Sequence, residues 1–289
     1  MVSTRQIIIL VVIFTCCTLL IINIKPVKLE LSKAYFGATC PVPRQGGNPN
    51  FYAQFYEDYI LSIALSNIKN VHYIDVGANS PNIDSVTKHF YLEGWSGINI
   101  EPIEKFYDEY ITQRPNDISI NKGASNTEGE IDFYILSSDL MSSGNIDFVN
   151  KAKDKGYDYK KETMKVTTLN NILIAYPIAP ITFLKIDVEG MEKEVLEGID
   201  LSKYRPSTLI IESIRPFSHM KAHEEWETIL LKNNFTFVLF DSLNRYYVAN
   251  EHLEELSENW NKAVRCYSLA NEIYPEYKIE NVYKHEVDY

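Results

Sequence analysis

Short apolar strands alternate with helical segments over most of this chain, and the alternation constrains the fold more than any other feature of the sequence. Five of the apolar runs predict buried strands: 71–76, 97–100, 118–120, 181–186 and 209–211. Apolar residues at helical spacing lie between most of them. Because parallel strands are joined through crossover helices, the pattern predicts an α/β fold with a mostly parallel sheet and helices on both faces.

Three other runs complete the predicted strands. Residues 131–136 alternate in polarity, as an exposed strand does, and residues 235–240 and 245–249 are apolar runs joined by a short loop. The last strand is therefore predicted to pair antiparallel with the one before it. A ligand of such a sheet is expected beyond the carboxyl ends of the strands, near the point where the strand order reverses.

An uncharged apolar stretch, 7–22, has Arg5 before it and Lys25 and Lys28 after it. A helix of this length spans roughly 25 Å, slightly less than the ~30 Å hydrocarbon core of a bilayer. The stretch predicts a membrane anchor over residues 1–25, and a cleaved signal peptide is the alternative. Positive charge flanks both ends of the stretch and so does not select an orientation. The folded domain is expected either in the secretory-pathway lumen or on the cytoplasmic face.

Composition divides the rest of the chain. Residues 26–50 are rich in proline and glycine and are predicted to form a stem, residues 51–256 the folded domain, and residues 257–289 a C-terminal extension. Cys40 and Cys266 are either disulfide partners, if the domain faces an oxidising lumen, or free thiols. One N-glycosylation sequon begins at Asn234.

The charge balance narrows the class of partner. Lys and Arg together number 28 against 39 Asp and Glu, which gives a formal net charge of -11. Proteins that bind nucleic acids neutralise phosphates with Lys and Arg, so this balance argues against a nucleic acid as the main partner.

Polar residues follow the first two predicted core strands. The first strand runs into Asp75-Val-Gly77-Ala78-Asn79, and the second ends at Glu101. A glycine lets the backbone turn tightly and approach a ligand, and a carboxylate such as Glu101 accepts hydrogen bonds from both hydroxyls of a ribose. The turn lacks G-x-G-x-x-G, which disfavours a dinucleotide. The pattern predicts an adenosine ligand without a pyrophosphate.

Charged residues also follow the later core strands. Lys185, Asp187 and Glu189 lie at the tip of one strand, and Glu212 ends the next, with His219 downstream. Capping of the following helix by Asp187 or Glu189 is one interpretation, since carboxylates favour helix N-termini. A site over the carboxyl edge of the sheet is the other.

Several longer runs resemble the FkbM family of methyltransferases in consistent order, over roughly residues 51–256. These runs are 73–104, 114–126, 183–201 and 240–256. The resemblance implies a Rossmann-like methyltransferase fold with a seven-stranded sheet and S-adenosylmethionine as the methyl donor. It also implies a hydroxyl-bearing acceptor, commonly a sugar, a glycoconjugate or a small natural product.

The resemblance also implies roles for particular residues. Asp75, Gly77, Ala78 and Asn79 would line the methionine end of the cofactor and Glu101 its ribose. The residues implied near the adenine and near the transferred methyl are, respectively, Ala124 with Ser125 and Asp187 with Glu189. Residues 137–165 would form the acceptor lid, where Gly144-Asn145 departs from the commonest family pattern.

A hydroxyl is a weak nucleophile, so a base or a metal ion is expected to assist its attack on the methyl group. Asp187 is the first candidate for the base and His219 the second. A divalent cation held by Asp187 and Glu212 is the alternative, since hard cations prefer oxygen ligands. Two other functions are weighed: an NAD-using oxidoreductase, and an inactive membrane-tethered binding module.

Overall fold

The computed structural model describes residues 40–41, 44–45, 50–69, 71–136, 142–218 and 220–273. The chain divides into two compact units. Residues 43–264 form the first, and residues 1–42 with 265–289 form the second. The predicted anchor over 1–25 and most of the predicted stem lie outside the described residues. Among the helices that are described, none combines the length and the apolar character needed to cross a bilayer.

The strands of the first unit follow one another in chain order. They are β1 Arg44–Gln45, β2 Asn50–Phe51, β3 His72–Val76, β4 Ser96–Ile100, β5 Ile118–Ile120, β6 Gly123–Ala124, β7 Gly129–Leu136, β8 Ser142–Ser143, β9 Tyr159–Thr167, β10 Ile181–Ile186, β11 Thr208–Glu212, β12 Phe235–Phe240 and β13 Asn244–Ala249.

The helices separate these strands as the sequence pattern predicts. They are α1 Glu57–Ala64, α2 Lys88–Leu92, α3 Glu104–Gln113, α4 Ile146–Asp154, α5 Leu169–Ala175, α6 Glu192–Glu197, α7 Glu227–Lys232 and α8 Leu253–Ile273, with short 3-10 turns at His223–Glu225 and Asn250–His252.

Seven strands form the main sheet, in the order β12-β13-β11-β10-β3-β4-β5. The five strands from β11 to β5 are parallel, and β13 pairs antiparallel with both β11 and β12. The predicted α/β fold and the antiparallel last strand are confirmed. The chain fills one half of the sheet first and then the other, so the strand order reverses between β3 and β10.

Helices cover both faces of this sheet. Alternate side chains of a strand point in opposite directions, so each face of the sheet has its own core. Ile74 and Leu184 belong to a core cluster that includes residues of α5, α6 and α7. On the opposite face, Phe183 packs against Tyr73 and against Phe90 of α2, with ring centroids 5.7 and 5.1 Å apart. Asp75 and Lys185 share this second face with Tyr73 and Phe183.

A second sheet of four strands, in the order β6-β9-β7-β8, was not predicted as a separate unit of the fold. The alternating run 131–136 lies within β7, as predicted. In the span 137–165, whose predicted role as the acceptor lid stays a prediction, lie β8, α4 and most of the nine-residue β9. Its sequence, Tyr-Lys-Lys-Glu-Thr-Met-Lys-Val-Thr, has few apolar residues because most of the strand is exposed or half-buried, so hydrophobic periodicity does not identify it.

Cys40 and Cys266 form a disulfide, with Cα atoms 5.6 Å apart. Both residues belong to the second unit. The structure thus selects the first of the two alternatives that the sequence left open.

Candidate functional site

The strand order reverses between β3 and β10, and the loops after these two strands lie side by side. Asp75 is in register with Lys185, and Val76 with Ile186. The loop after β3 contains Gly77–Asn79, and the loop after β10 contains Asp187–Gly190. A crevice at the carboxyl ends of parallel strands is expected at this reversal, and the sequence-predicted residues lie there.

Gly77 has a structural requirement that the sequence alone does not reveal. Its φ of +74° favours glycine, and a Cβ at this position would overlap the backbone carbonyl oxygen of Asp187. The amide of Asp187 also donates a 3.1 Å hydrogen bond to the carbonyl of Val76. The backbone that approaches Gly77 is therefore the protein's own, and the glycine holds the two loops of the crevice together.

Lys185 bridges the two strand ends electrostatically. Its Nζ lies 3.3 Å from Asp75 Oδ1 and 3.4 Å from Asp187 Oδ2, and donates to the carbonyl of Gly77 at 3.2 Å. Burial disfavours the charged ammonium, but the negative charges of Asp75 and Asp187 outweigh it and raise the pKa of Lys185 above its usual range. The sequence analysis assigned no role to Lys185. The feature that could have identified it is the presence of a lysine in a strand that is buried along its whole length.

Asp75 points into the protein. The residue is 1% exposed, and besides Lys185 its carboxylate accepts a 3.2 Å hydrogen bond from the Thr87 hydroxyl. Its predicted contact with the cofactor ammonium stays a prediction. The geometry places Asp75 directly beneath the loop Gly77–Asn79, where it orients Lys185.

Arg114 organises the chain that follows this loop. Buried within the domain, it donates to Thr87 Oγ1 at 2.7 Å and to Ser85 Oγ at 2.8 Å, and also to the carbonyl of Pro81. Sequence reasoning missed this residue, because an arginine after a helix resembles an ordinary surface charge. Its contacts join the segment before α2 to the end of α3.

Glu101, the predicted ribose ligand, is held by two backbone amides. Oε2 accepts from the amide of Asn79 and Oε1 from the amide of Ile103, both at 2.7 Å. Burial raises the pKa of Glu101 to about 7, although these hydrogen bonds favour the charged form. Tyr110 fixes the same loop by donating to the carbonyl of Ala78 at 3.0 Å. Each carboxylate oxygen keeps a second lone pair for a hydroxyl donor.

Ala124 and Ser125, the residues implied near the adenine, lie at the end of β6. Both are buried, and the amide of Ser125 donates to the carbonyl of Thr167 at 2.9 Å. Ala124 belongs to the four-stranded sheet rather than the main sheet, and Ser125 follows it directly. Their predicted role is not tested by these contacts.

Glu192 fixes the loop that leads into α6. Its Oε1 accepts from the amides of Val188 and Gly190, at 3.2 and 3.0 Å. Both amides precede the helix, whereas a capping side chain accepts from the amides of its first turn. Asp187 is paired with Lys185 and about one-third exposed. Capping by Asp187 or Glu189 stays a prediction.

The four-stranded sheet is tied to the loop after β10. Ser143 Oγ donates to the carbonyl of Glu189 at 2.8 Å, and Asn145 Nδ2 donates to the carbonyl of Gly190 at 3.2 Å. Glu189 has a left-handed backbone, with φ +56°. The segment Gly144-Asn145, singled out in the sequence as unusual, is therefore a docking point: a Cβ on Gly144 would crowd Met191 and Ile131.

Glu212 is a buried carboxylate at the end of β11. The residue is 8% exposed, and Oε2 makes no hydrogen bond with any residue that the structure describes. Burial and the charges of Glu189, Asp187 and Glu192 raise the pKa of Glu212 well above its usual range. A buried polar atom without a partner calls for an explanation, and a ligand group or a water molecule would supply the missing donor here.

Two predicted features are not placed by these observations. His219 lies outside the described residues. Within the described ranges, no three His, Cys, Asp or Glu side chains form a group that could hold a metal ion. A cation held by the pair Asp187 and Glu212 alone stays a prediction.

The chain was compared with protein families and with curated proteins. The family model of the methyltransferase FkbM domain matches residues 75–237, more than half of the 289 residues. The match begins at Asp75 and contains the crevice residues Glu101, Lys185, Asp187 and Glu212. No curated protein matches the sequence.

Proposed function

We propose, from the premise that this chain belongs to the FkbM family of methyltransferases, that it transfers a methyl group from S-adenosylmethionine to a hydroxyl oxygen. The acceptor in this proposal is a carbohydrate, a glycoconjugate or a small natural product. The observation that carries the proposal is the convergence of Asp75, Glu101 and Asp187 at one sheet edge, inside the matched span.

The charges of the crevice support this cofactor. Asp75, Asp187 and Glu189 outnumber the cation Lys185 there, which suits a ligand with positive sulfonium and ammonium groups. The same charges oppose the two phosphates of a dinucleotide. When bound, S-adenosylmethionine supplies an electrophilic methyl group. Glu101 would hold its ribose through the lone pairs that the Asn79 and Ile103 amides leave free.

We assign the role of proton acceptor to Glu212. A general base works best when its pKa approaches the working pH, and burial with neighbouring carboxylates moves the pKa of Glu212 in that direction. Its free Oε2 would accept the hydrogen of the attacking hydroxyl. Asp187 is already paired with Lys185 at 3.4 Å, so Asp187 would align the acceptor rather than take its proton.

The acceptor is expected to be neutral or positively charged at the reacting end. A carboxylate or phosphate beside that hydroxyl would face Asp187 and Glu189, and like charges at close range cost several kcal/mol (on the order of 4 kcal/mol at 4 Å). Neutral sugars and amino sugars are therefore better candidates than uronic acids or sugar phosphates.

Direct binding tests the cofactor. Isothermal titration with S-adenosylmethionine and with NAD separates a methyltransferase from an oxidoreductase. Binding of S-adenosylmethionine alone supports the proposal. Binding of NAD alone would support the oxidoreductase, and binding of neither would support an inactive tethered module.

Turnover tests the acceptor and the base. The protein is incubated with labelled cofactor and a matched panel of neutral, amino and acidic glycans, followed by mass spectrometry of the products. Glu212→Gln is expected to lower turnover about 10²–10⁴-fold with unchanged cofactor affinity. Glu130→Gln, on the exposed edge of β7, serves as the control and should match the wild type. Equal turnover in Glu212→Gln and the control would remove Glu212 from this role.

The proposal includes attachment to a membrane through residues 1–25. Full-length protein and a variant that lacks this segment are compared by flotation with liposomes. Flotation of the full-length protein alone supports the anchor, and equal behaviour of the two forms contradicts it.

A further inference from the structure

The sequon Asn234-Phe235-Thr236 lies where α7 passes into β12, and it is the only N-x-Ser/Thr sequence with a non-proline middle residue in the chain. Asn234 and Thr236 are both exposed, while Phe235 between them is 2% exposed. Phe235 packs inward at the start of β12, while the residues on either side of it lie at the surface.

The backbone at Asn234 is already bonded within the protein. Its amide donates to the carbonyl of Leu231 at 3.2 Å, and its carbonyl accepts from the amide of Asn250 at 2.9 Å. The side-chain amide makes no hydrogen bond with the part of the chain that the structure describes. Asn234 has a left-handed backbone, φ +58°, as residues in tight turns do. An attached group would leave the local fold intact.

The disulfide gives an independent indication of the compartment. Cys40 and Cys266 are bonded across a sequence separation of 226 residues. Disulfides persist in the secretory lumen and outside the cell, and are rare in the cytosol. The secretory lumen is also where asparagine-linked glycans are added to exposed sequons.

From the exposed sequon and the disulfide we infer that Asn234 is a site of N-linked glycosylation, and that the domain faces the secretory lumen. This inference concerns a surface position and does not depend on the proposed methyl transfer.

The strand register places this position away from the crevice. Phe235 is opposite Ala249, and Phe240 is opposite Arg245. On the other side of β13, Glu212 is opposite Asn244. The beginning of β12 therefore lies at the end of the sheet remote from Glu212, and a glycan there leaves the carboxyl edge open.

A glycan at Asn234 would also protect the edge of the sheet. β12 is an outer strand of the seven, and Phe237 and Phe240 on it are 39% and 38% exposed. Exposed apolar edge strands invite pairing with other chains. A bulky hydrophilic group at the start of the strand would hinder this association.

The full chain, expressed in eukaryotic secretory cells, tests the inference. Wild-type protein should gain mobility on treatment with peptide N-glycosidase, and the peptide that contains position 234 should then carry Asp in place of Asn. Asn234→Gln and Thr236→Ala should lose the shift, whereas Thr236→Ser should retain it, since serine also completes a sequon.

A displaced sequon separates the two parts of the inference. In the Asn234→Gln background, Glu128→Thr creates an acceptor at Asn126, in an exposed turn. Glycosylation at Asn126 but never at Asn234 would show a lumenal domain and overturn the assigned site. Absence of a glycan from both would overturn the lumenal placement as well. Both parts are supported if the wild type and the Asn234→Gln/Glu128→Thr double variant show the mobility shift and Asn234→Gln by itself does not.

Discussion

The carboxyl edge of the main sheet and the small four-stranded sheet use charged residues in opposite ways. At the edge, Lys185 lies between Asp75 and Asp187 with a side chain 11% exposed. In the small sheet, Lys161 of β9 pairs with Asp132 of β7 at 2.7 Å, and both side chains are about half exposed. The chemistry of the pairs is the same, and their surroundings differ.

A charged residue is therefore informative about function when it is buried, and much less so when it is exposed. An exposed pair is solvated whether or not it forms, so it contributes little and indicates only a strand surface. A buried group must be compensated, and its position is therefore fixed by its neighbours. The shifted pKa values of Lys185, Glu101 and Glu212 all occur at the carboxyl edge.

The largest effect on stability is expected from Lys185→Met. The substitution leaves Asp75 and Asp187 without their buried cation, and breaking a buried pair in this way typically costs about 3–5 kcal/mol. Urea unfolding followed by circular dichroism measures the change. If the free energy of unfolding falls by less than about 1 kcal/mol, the two carboxylates are solvated, and the buried and exposed ion pairs do not differ as described.

Gly77→Ala should come next in size. A residue forced into a left-handed conformation costs about 1–3 kcal/mol, and here the new Cβ also meets the backbone of Asp187. The separation of the two loops should weaken cofactor binding as well. Titration calorimetry and thermal unfolding of the same samples report both effects.

Gly94→Ala is the matched control for this prediction. Gly94 has a similar φ of +87°, but a Cβ there meets nothing within 4 Å. It should lose stability through backbone strain alone and retain cofactor affinity. Equal cofactor affinity in the two variants would contradict the role of Gly77 in joining the loops.

The pH dependence of cofactor binding tests Glu101. The carboxylate, and not the acid, accepts hydrogen bonds from two ribose hydroxyls, and the pKa of Glu101 is raised to about 7 by burial. Affinity should therefore be full above pH 7 and fall as the pH drops below it, approaching tenfold per unit. Titrations between pH 6 and 8 measure the slope. Glu101→Gln should bind more weakly throughout and show a flatter slope; an unchanged slope assigns the titration to another group.

The smallest effect is expected from Lys161→Met, the exposed counterpart of Lys185→Met. Its ion pair with Asp132 is open to solvent, so melting temperature and turnover should both match the wild type. A clear loss of stability here would mean that the small sheet depends on its surface pairs.

The elements of the main sheet could be predicted because their signal is local. The runs around Val76, Ile100, Ile186 and Glu212 are short, apolar and followed by polar residues, and all became buried parallel strands. β9 could not be predicted in the same way. Most of its side chains face solvent, and its pairing with β7 and β6 depends on contacts that leave no periodic apolar pattern.

For the candidate site, the sequence predicted where in the sheet its residues lie. It did not predict which side chains contact one another. Glu101 and Asp187 lie at the expected edge, since the ends of parallel strands meet there whatever their side chains. That Asp75 faces inward to Lys185, or that Glu192 accepts from the amides of Val188 and Gly190, depends on side-chain packing across the sheet. His219 lies outside the described residues and stays a prediction.

By itself the sequence determined the class of fold, the edge of the sheet at which the candidate site lies and the resemblance to one family, because strand burial and the polar residues after each strand involve neighbouring positions. The tertiary structure alone decided that Gly77 is needed by the backbone of Asp187, that Cys40 reaches Cys266 and that Glu212 has a buried oxygen without a donor among the described residues. Each of these depends on residues far apart in the chain. The contacts between these residues are set by the packing of whole strands, which cannot be predicted from a local sequence pattern.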